Sequence, residues 1–215
     1  PSVSVVIPTL GRERVLVETV THLLDLRHGA DEILVVDQSP SHDQETTTAL
    51  QGWDARGRIR WIRREKPSIP AAMNDGLRQA KSEVVLFVDD DVIPHSELVE
   101  AHRRTYVESD VVAVAGMVLQ PGENPLAGPS SGPRGEGRWR DLDFCFRSSE
   151  RADGWNVMAG NLSVRKSGAL ACGGFDESFV GVAYRFETEV CRRLRRGGGR
   201  IVYEASPTPA VRRPA

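Results

Sequence analysis

Short apolar runs rich in β-branched residues alternate with helical patterns through the first half of the chain, and this alternation constrains the fold more than any other feature. Almost wholly apolar strands that are separated by helices are typical of a mostly parallel sheet with both faces covered. The predicted strands cover residues 3–7, 32–36, 59–62, 84–88 and 111–118. We therefore expect an α/β protein with a Rossmann-like, mostly parallel central sheet flanked by helices.

Helix signals fill the intervals between these strands. Residues 12–26 and 70–80 carry helical patterns, and Ser41-His42-Asp43-Gln44 predicts a capping box at the start of another helix. Pro94 predicts the first residue of a fourth helix, where a missing amide hydrogen costs nothing. Later, residues 186–196 predict a helix that ends at three glycines, and residues 201–203 predict a last strand. Residues 120–138 are rich in Gly, Pro and Ser and predict a long loop.

The bulk composition limits the function classes. With 215 residues, the chain is long enough for one domain with a sizeable core and short for two. Its net charge of −2 lacks the basic excess typical of nucleic-acid binders, so no nucleic-acid partner is expected. The three cysteines form no C-x-x-C pair, which predicts neither a zinc knuckle nor a disulfide framework. Free thiols, with no signal peptide or bilayer-spanning stretch, predict a cytoplasmic location.

Carboxylates follow two of the predicted strands. Asp89, Asp90 and Asp91 come directly after residues 84–88, and Asp37 follows residues 32–36. Ligands of open parallel sheets bind beyond the carboxyl ends of the strands. Three adjacent carboxylates repel one another, and a cation such as Mg²⁺ or Mn²⁺, shared with substrate phosphates, would relieve that repulsion. The alternatives are a solvated acidic turn for the run and a helix cap or turn role for Asp37.

The turn after the first strand excludes two kinds of nucleotide site. It reads Pro8-Thr9-Leu10-Gly11-Arg12, with a single glycine where dinucleotide-binding proteins carry a Gly-rich turn. The phosphate-binding pattern G-x-x-x-x-G-K-[ST] is also missing from the sequence. The residues therefore indicate a nucleotide site of a different kind from those of Rossmann dehydrogenases and P-loop enzymes.

Several short motifs follow one another in order along nearly the whole chain. They are Val5-Val6-Ile7-Pro8-Thr9, Ile33-Leu34-Val35-Val36-Asp37, Ala72-Met73-Asn74-Asp75-Gly76-Leu77, Leu86-Phe87-Val88-Asp89-Asp90-Asp91, Ala159-Gly160-Asn161-Leu162-Ser163, Gly173-Gly174-Phe175-Asp176-Glu177 and Glu187-Thr188-Glu189-Val190-Cys191-Arg192-Arg193-Leu194. Each motif alone is weak, and the ordered set is specific. With this set the chain resembles the family 2 inverting glycosyltransferases, which have the GT-A fold.

The resemblance implies roles on the donor side. The family's D-x-D element falls on Asp89 and Asp91, which makes Asp91 the expected metal ligand and Asp89 a contact of the ribose or of the metal. A divalent cation, Mn²⁺ or Mg²⁺, is the implied cofactor. The residues expected to bind the nucleotide sugar are Pro8, Thr9, Asp37, Asn74, Asp89 and Asp90.

The resemblance also implies a catalytic base and an acceptor side. Glu187 falls where the family places its base, and we expect Glu189 to point elsewhere. For Trp155 we weigh two roles, core packing and stacking on a sugar. The residues expected on the acceptor side are Trp155, Gly160, Asn161, Asp176 and Glu177.

The chain departs from the family pattern at three places. The usual Glu-Asp pair before the last helix is Phe186-Glu187 here, and a longer carboxylate can still serve as a base. A histidine that many members carry near the end of the domain is missing from the residues given. The alternatives are that Arg212 or Arg213 neutralises the diphosphate instead, or that a residue beyond position 215 does so. The arginine that commonly precedes Asn74 is Met73.

These observations predict one GT-A domain over residues 1–205, with a nucleotide-sugar-binding half (1–118), a smaller acceptor-side half (119–205) and an extended tail (206–215). The expected activity is metal-dependent transfer of a hexose from a nucleotide-diphosphate sugar, UDP-linked first of all, to an acceptor hydroxyl with inversion. The acceptor is expected to be a saccharide, a lipid-linked molecule or a small molecule, with a peripheral contact at the cytoplasmic face of a membrane. The alternatives are a degenerate, non-catalytic nucleotide-sugar-binding module and a sugar nucleotidyltransferase.

Overall fold

The computed structural model describes residues 1–129, 146–154, 157–183, 185–205 and 210–212. Within them, eight strands form one sheet: β1 (Val3–Thr9), β2 (Glu32–Asp37), β3 (Arg60–Arg63), β4 (Val84–Val88), β6 (Val111–Gly116), β10 (Ala152–Asp153), β11 (Asn161–Arg165) and β12 (Arg200–Glu204). Their order in the sheet is β10-β12-β6-β11-β4-β1-β2-β3.

The sheet is mixed but mostly parallel, as predicted. Strand β1 pairs in parallel with β2 and β4, β2 pairs in parallel with β3, and β12 pairs in parallel with β6. Strand β11 runs antiparallel between β4 and β6, and β10 runs antiparallel to β12. The predicted nucleotide-binding and acceptor-side halves therefore contribute strands to the same sheet.

Helices cover both faces of this sheet. In the described residues they are α1 (Arg14–Leu24), α2 (Gln44–Ala55), α3 (Ile69–Gln79), α4 (Leu98–Thr105), α5 (Lys166–Ala171) and α6 (Phe186–Arg196). Successive side chains of a strand point to opposite faces, so each face has its own core cluster. Val5 and Ile7 lie in a cluster with α1 and α4, whereas Val6 and Phe87 lie in a second cluster with α3 and α6.

Two predicted helix starts are wrong. Pro94 does not open a helix: it ends a short strand, β5 (Val92–Pro94), and α4 begins four residues later at Leu98. The capping residue of α2 is Asp43, whose carboxylate accepts a hydrogen bond from the Thr46 amide at 2.7 Å. Ser41 lies too early for this role, because the helix begins at Gln44 and only the preceding residue can cap its first turn.

A three-stranded sheet links distant parts of the chain. Strand β13 (Ala210–Arg212) lies between β5 and β7 (Val118–Leu119), antiparallel to β5 and parallel to β7. Part of the predicted long loop also forms a strand, since β8 (Leu126–Pro129) pairs with β9 (Ser148–Glu150). Across the described residues, the longest helices fall short of the length and apolar character that crossing a bilayer requires.

Candidate active site

The carboxyl ends of β1, β2 and β4 lie side by side, since β1 pairs in parallel with both neighbours. This brings Thr9, Asp37 and the acidic run Asp89 to Asp91 to one edge of the sheet, as the sequence predicts. A cleft of about 460 Å³ opens there. Its lining comprises Pro8, Thr9, Leu10, Arg12, Gln38, Pro67, Ser68, Ile69, Met73, Asp89, Asp90, Ala159, Phe179, Val180 and Gly181.

Asp90 is held firmly at the edge of this cleft. Its carboxylate accepts a hydrogen bond from the Thr9 hydroxyl at 2.6 Å, and its carbonyl accepts one from the Thr19 hydroxyl at 3.0 Å. Burial raises the pKa of Asp90 to about 6, and the charges of Asp91 and Asp89 act in the same direction. Thr9 and Asp90 thus form one rigid wall of the predicted donor site.

Arg12 contacts two carboxylates of the acidic run, those of Asp90 and Asp91. The Arg12 guanidinium lies 3.5 Å from an Asp91 carboxylate oxygen and 3.5 Å from an Asp90 oxygen. The other Asp91 oxygen, Oδ1, is buried and finds no hydrogen-bond partner among the described residues. Arg12 is not among the predicted site residues. Its position after β1, the strand next to the one that precedes the acidic run, is a signal in the sequence for a basic partner of these carboxylates.

Asp89 and Glu187 meet at the turn that precedes β11. A Cβ atom built on Gly160 would stand 2.9 Å from Asp89 Cγ and closer still to Oδ2, so the carboxylate packs directly on this glycine. The Ala159 amide donates to Glu187 Oε1 at 3.4 Å. Burial raises the pKa of Glu187, and the charge of Asp89 raises it further. The structure therefore brings the predicted base and the first D-x-D acid together.

Aromatic packing fixes the start of α6 and thereby Glu187. The Phe186 ring contacts that of Phe175 with centroids 5.7 Å apart, and Phe175 contacts Phe87 of β4 at 5.3 Å. Phe186 is thus a core residue, which explains an aromatic side chain where the family pattern has a carboxylate. Glu189 points away and accepts a hydrogen bond from Arg193 at 2.7 Å, as expected.

The backbone leading into α6 is unusual. Ala183 has φ 49° and Arg185 has φ 69°, both in the left-handed region that residues other than glycine rarely adopt. Such conformations persist where the surrounding structure imposes them, often at functional sites. Arg185 directly precedes α6, whose first turn contains Glu187.

Asp37 occupies a buried network beside the cleft lining. Its carboxylate accepts hydrogen bonds from the Ser39 amide at 2.8 Å and from Trp61 Nε1 and His42 Nε2 at 2.9 Å each, and Arg63 pairs with it at 2.7 Å. Burial alone would raise the pKa of Asp37, but these hydrogen bonds lower it below its ordinary value. The next residue, Gln38, lines the cleft instead, and its carboxamide links Thr9 to Ser68.

Asn74 joins helix α3 to the segment that follows β11 and α5. Its side-chain oxygen accepts from the Phe175 amide, and its amide donates to the Phe175 carbonyl and to Glu177, each at 2.8 Å. Asp176 is exposed and accepts from the Ser178 amide at 2.9 Å. Asn74 is therefore engaged with the predicted acceptor-side residues, and the cleft lining at this place is its neighbour Met73.

Asn161 is fully buried behind the Gly160 turn. Its side-chain amide donates to the Met117 carbonyl at 2.9 Å, and its oxygen lies 2.9 Å from His102 Nε2. His102 Nδ1 in turn lies 2.7 Å from the Ser163 hydroxyl. Burial lowers the pKa of His102 to about 4, so the imidazole is neutral near pH 7.

The remaining predicted positions divide into two groups. Trp155 and Arg213 lie outside the described residues. Arg212 lies opposite Val92 in the β13–β5 register, and Val92 is the residue after Asp91.

In the described part of the chain, no three His, Cys, Asp or Glu side chains form a metal-binding cluster. Cations of the Mg²⁺ and Mn²⁺ kind often use only one or two carboxylates plus substrate phosphates, and the unpartnered Asp91 Oδ1 fits that chemistry.

Comparison with solved structures places this architecture among the GT-A glycosyltransferases. The chain superimposes with a TM-score of 0.70 on the mannosyltransferase PcManGT from Pyrobaculum calidifontis, solved with GDP-Man and Mn²⁺, at 17% identity over 98% of this chain and 56% of that one. It superimposes with a TM-score of 0.74 on GalNAc-T7, solved with UDP, GalNAc and Mn²⁺, at 13% identity over 98% of this chain and 43% of that one.

Sequence comparison identifies the family. The family model for glycosyl transferase family 2 matches residues 4–165, so the chain belongs to glycosyl transferase family 2. The chain is 32% identical to the glycosyltransferase GlyG of Streptococcus pneumoniae over 116 residues. This aligned segment covers 53% of this chain and 38% of GlyG. The chain spans less than half the length of the curated relatives that it matches.

Proposed function

We propose that the chain transfers a hexose from a nucleotide-diphosphate sugar to an acceptor hydroxyl, with inversion and with a divalent cation. Family membership supports glycosyl transfer. The observation that carries the mechanism is the approach of Glu187 to Asp89 across the Ala159-Gly160 turn, beside a cleft that Asp89 and Asp90 line.

The donor is proposed to lie in that cleft. Pro8, Thr9 and Gln38 stand at its β1–β2 side, where the nucleoside is proposed to bind, and the acidic run stands at its β4 side, toward the diphosphate. Asp37 is proposed to act through its neighbours, because protein donors already occupy its carboxylate. UDP is the first choice of nucleotide, and the GDP-Man complex of PcManGT makes GDP the second to test.

Asp91 and Asp89 are proposed to hold Mn²⁺ or Mg²⁺. When bound there, the cation supplies Lewis-acid stabilisation of the diphosphate as it leaves. Asp90 is proposed to shape the site rather than to bind the ion, since Thr9 and Thr19 hold its carboxylate and carbonyl. Arg212, beside Val92 in the sheet, is proposed as a further positive charge at the diphosphate.

Glu187 is proposed to take the proton from the acceptor hydroxyl as that oxygen attacks the anomeric carbon. A single displacement of this kind inverts the configuration of the sugar. The raised pKa of Glu187 suits a base, because a less acidic carboxyl group gives a more basic carboxylate. Gly160, Asp176 and Glu177 are proposed to border the acceptor, which is a saccharide, a lipid-linked molecule or a small molecule. A cytoplasmic location at the face of a membrane remains part of this proposal.

A panel of UDP, GDP and dTDP and their sugars, each with and without Mn²⁺, tests the donor assignment. A nucleotide that binds only the folded protein raises the melting temperature, and we expect one nucleotide to do so in a Mn²⁺-dependent way. Transfer or hydrolysis of the matching donor then separates an enzyme from a non-catalytic binding module. Absence of stabilisation by every nucleotide would contradict the proposed function.

A further inference from the structure

Arg12 is a charged residue of the cleft lining to which the proposed function assigns no role. Its guanidinium contacts both Asp90 and Asp91 at 3.5 Å, while 46% of its side chain stays exposed. It therefore contacts one carboxylate oxygen of Asp91, Oδ2, beside the unpartnered oxygen Oδ1 and at the border of the cleft.

The backbone that carries Arg12 is anchored on both sides. Thr9 is bonded to Asp90, and the Gly11 amide donates to the Ser39 hydroxyl at 2.8 Å. Glu13 lies 3.1 Å from the His42 ring. Gly11 has φ +65°, a conformation that suits glycine and turns the chain toward the acidic run. A change of position at Arg12 thus requires only rotation of its long side chain.

Charge explains why this side chain would move. The acidic run brings three carboxylates together, and the Arg12 guanidinium contacts two of them. A divalent cation at Asp91 would neutralise these charges, but it would also lie close to the guanidinium, and like charges at contact distance repel strongly. A nucleoside diphosphate adds negative charge that both cations can share, and arginine binds phosphate oxygens well.

We propose that Arg12 occupies the cation's side of Asp91 in the donor-free protein and contacts the diphosphate once cation and nucleotide bind together. This inference rests on the proposed function, since it takes Asp91 as the metal ligand. Arg12 then opposes binding of the cation alone and favours binding of the nucleotide with the cation. The consequence is ordered binding, in which the protein retains the metal well only in the presence of the donor.

Arg12→Met tests this because the two effects have opposite signs. Manganese alone, titrated by the electron paramagnetic resonance signal of free Mn²⁺, should bind the variant about five-fold more tightly than wild type. UDP or GDP, whichever stabilises wild type, should bind the variant about ten-fold more weakly at saturating Mn²⁺, as measured by calorimetry. Arg12→Lys, which keeps the charge, should bind Mn²⁺ like wild type.

Arg14→Met is the matched control. Arg14 lies two residues away, is 87% exposed and pairs with Glu18 at 2.7 Å, so its removal should change neither affinity. Unchanged Mn²⁺ affinity in Arg12→Met, or equal gains in both methionine variants, would overturn the inference and leave the proposed function standing. If wild type binds neither Mn²⁺ nor a nucleotide, the proposed function fails and this inference fails with it.

Discussion

Gly160 packs directly against Asp89, with no room for a Cβ atom between them: such an atom would stand 2.9 Å from Asp89 Cγ. The amide of the preceding residue, Ala159, donates to Glu187, the proposed base. The position of Asp89 therefore depends on a residue without a side chain, in the same turn that contacts Glu187.

Replacement of Gly160 by alanine should displace Asp89 and cost about 1 to 3 kcal/mol in the free energy of unfolding, as overpacking of a tight site does. We also expect nucleotide affinity in the presence of Mn²⁺ to fall by at least about ten-fold. Urea denaturation and calorimetry measure the two effects. Gly168→Ala is the control, since a Cβ atom there meets nothing within 4 Å. Nucleotide binding that is normal in Gly160→Ala would contradict the assignment of Asp89 to the donor.

Glu187→Gln should lower turnover by about a hundred-fold or more, because a carboxamide cannot accept the acceptor's proton. Nucleotide affinity should stay near that of wild type, since the side chain is assigned to the acceptor. Glu189→Gln, on the same turn but bonded to Arg193, should keep its turnover. Steady-state kinetics with the donor found in the nucleotide panel makes the comparison. If the two variants transfer sugar at equal rates, Glu187 is not the base.

His102 should make the protein sensitive to acid. Its ordinary pKa of 6.5 falls to about 4 in the folded state because the ring is buried. The unfolded chain therefore takes up a proton between pH 6.5 and pH 4 that the folded chain does not. The contribution of the neutral His102 ring to the free energy of unfolding is therefore fully present above pH 6.5. Up to about 3 kcal/mol of the free energy of unfolding is lost as the pH falls to 4.

Denaturation of wild type and His102→Gln from pH 4 to pH 8 measures this loss. Two titratable groups among the described residues lie beside the ring: the Tyr106 hydroxyl shares Ser163 with it, burial raises the pKa of that hydroxyl, and Arg165 lies over the Tyr106 ring. Below pH 6.5, wild type should lose more stability than the variant, whereas exposed His22, replaced by Gln, should change nothing. Parallel curves for wild type and His102→Gln would disprove the role of this histidine.

The sequence was informative wherever a local pattern decides the structure. The helix over residues 186–196 was predicted with its observed bounds, because its apolar spacing and the following glycines are both local signals. The acidic run lies at the carboxyl edge of the sheet for a similar reason, since the strand before it is wholly apolar. The helix start predicted at Pro94 is wrong because proline fits the end of an edge strand as well as the first turn of a helix.

Side-chain partners that are distant in sequence could not be predicted. Asp37 resembles a ligand residue in its motif, yet its donors come from Trp61 and Arg63 on the neighbouring strand and from His42. Asn161 stands next to the site in sequence but points into the core toward His102. In both cases the motif fixes where the backbone lies, and only the packing determines which groups the side chain meets.

The clasp of Asn74 on Phe175 has a mechanical consequence. The exposed stretch through Val180 and Gly181 lines the same cleft as Met73 of α3. The Asn74 carboxamide accepts from the amide and donates to the carbonyl of Phe175, 101 positions away, and so ties α3 to the segment before α6. Any displacement of α3 from that segment would therefore break both hydrogen bonds at once.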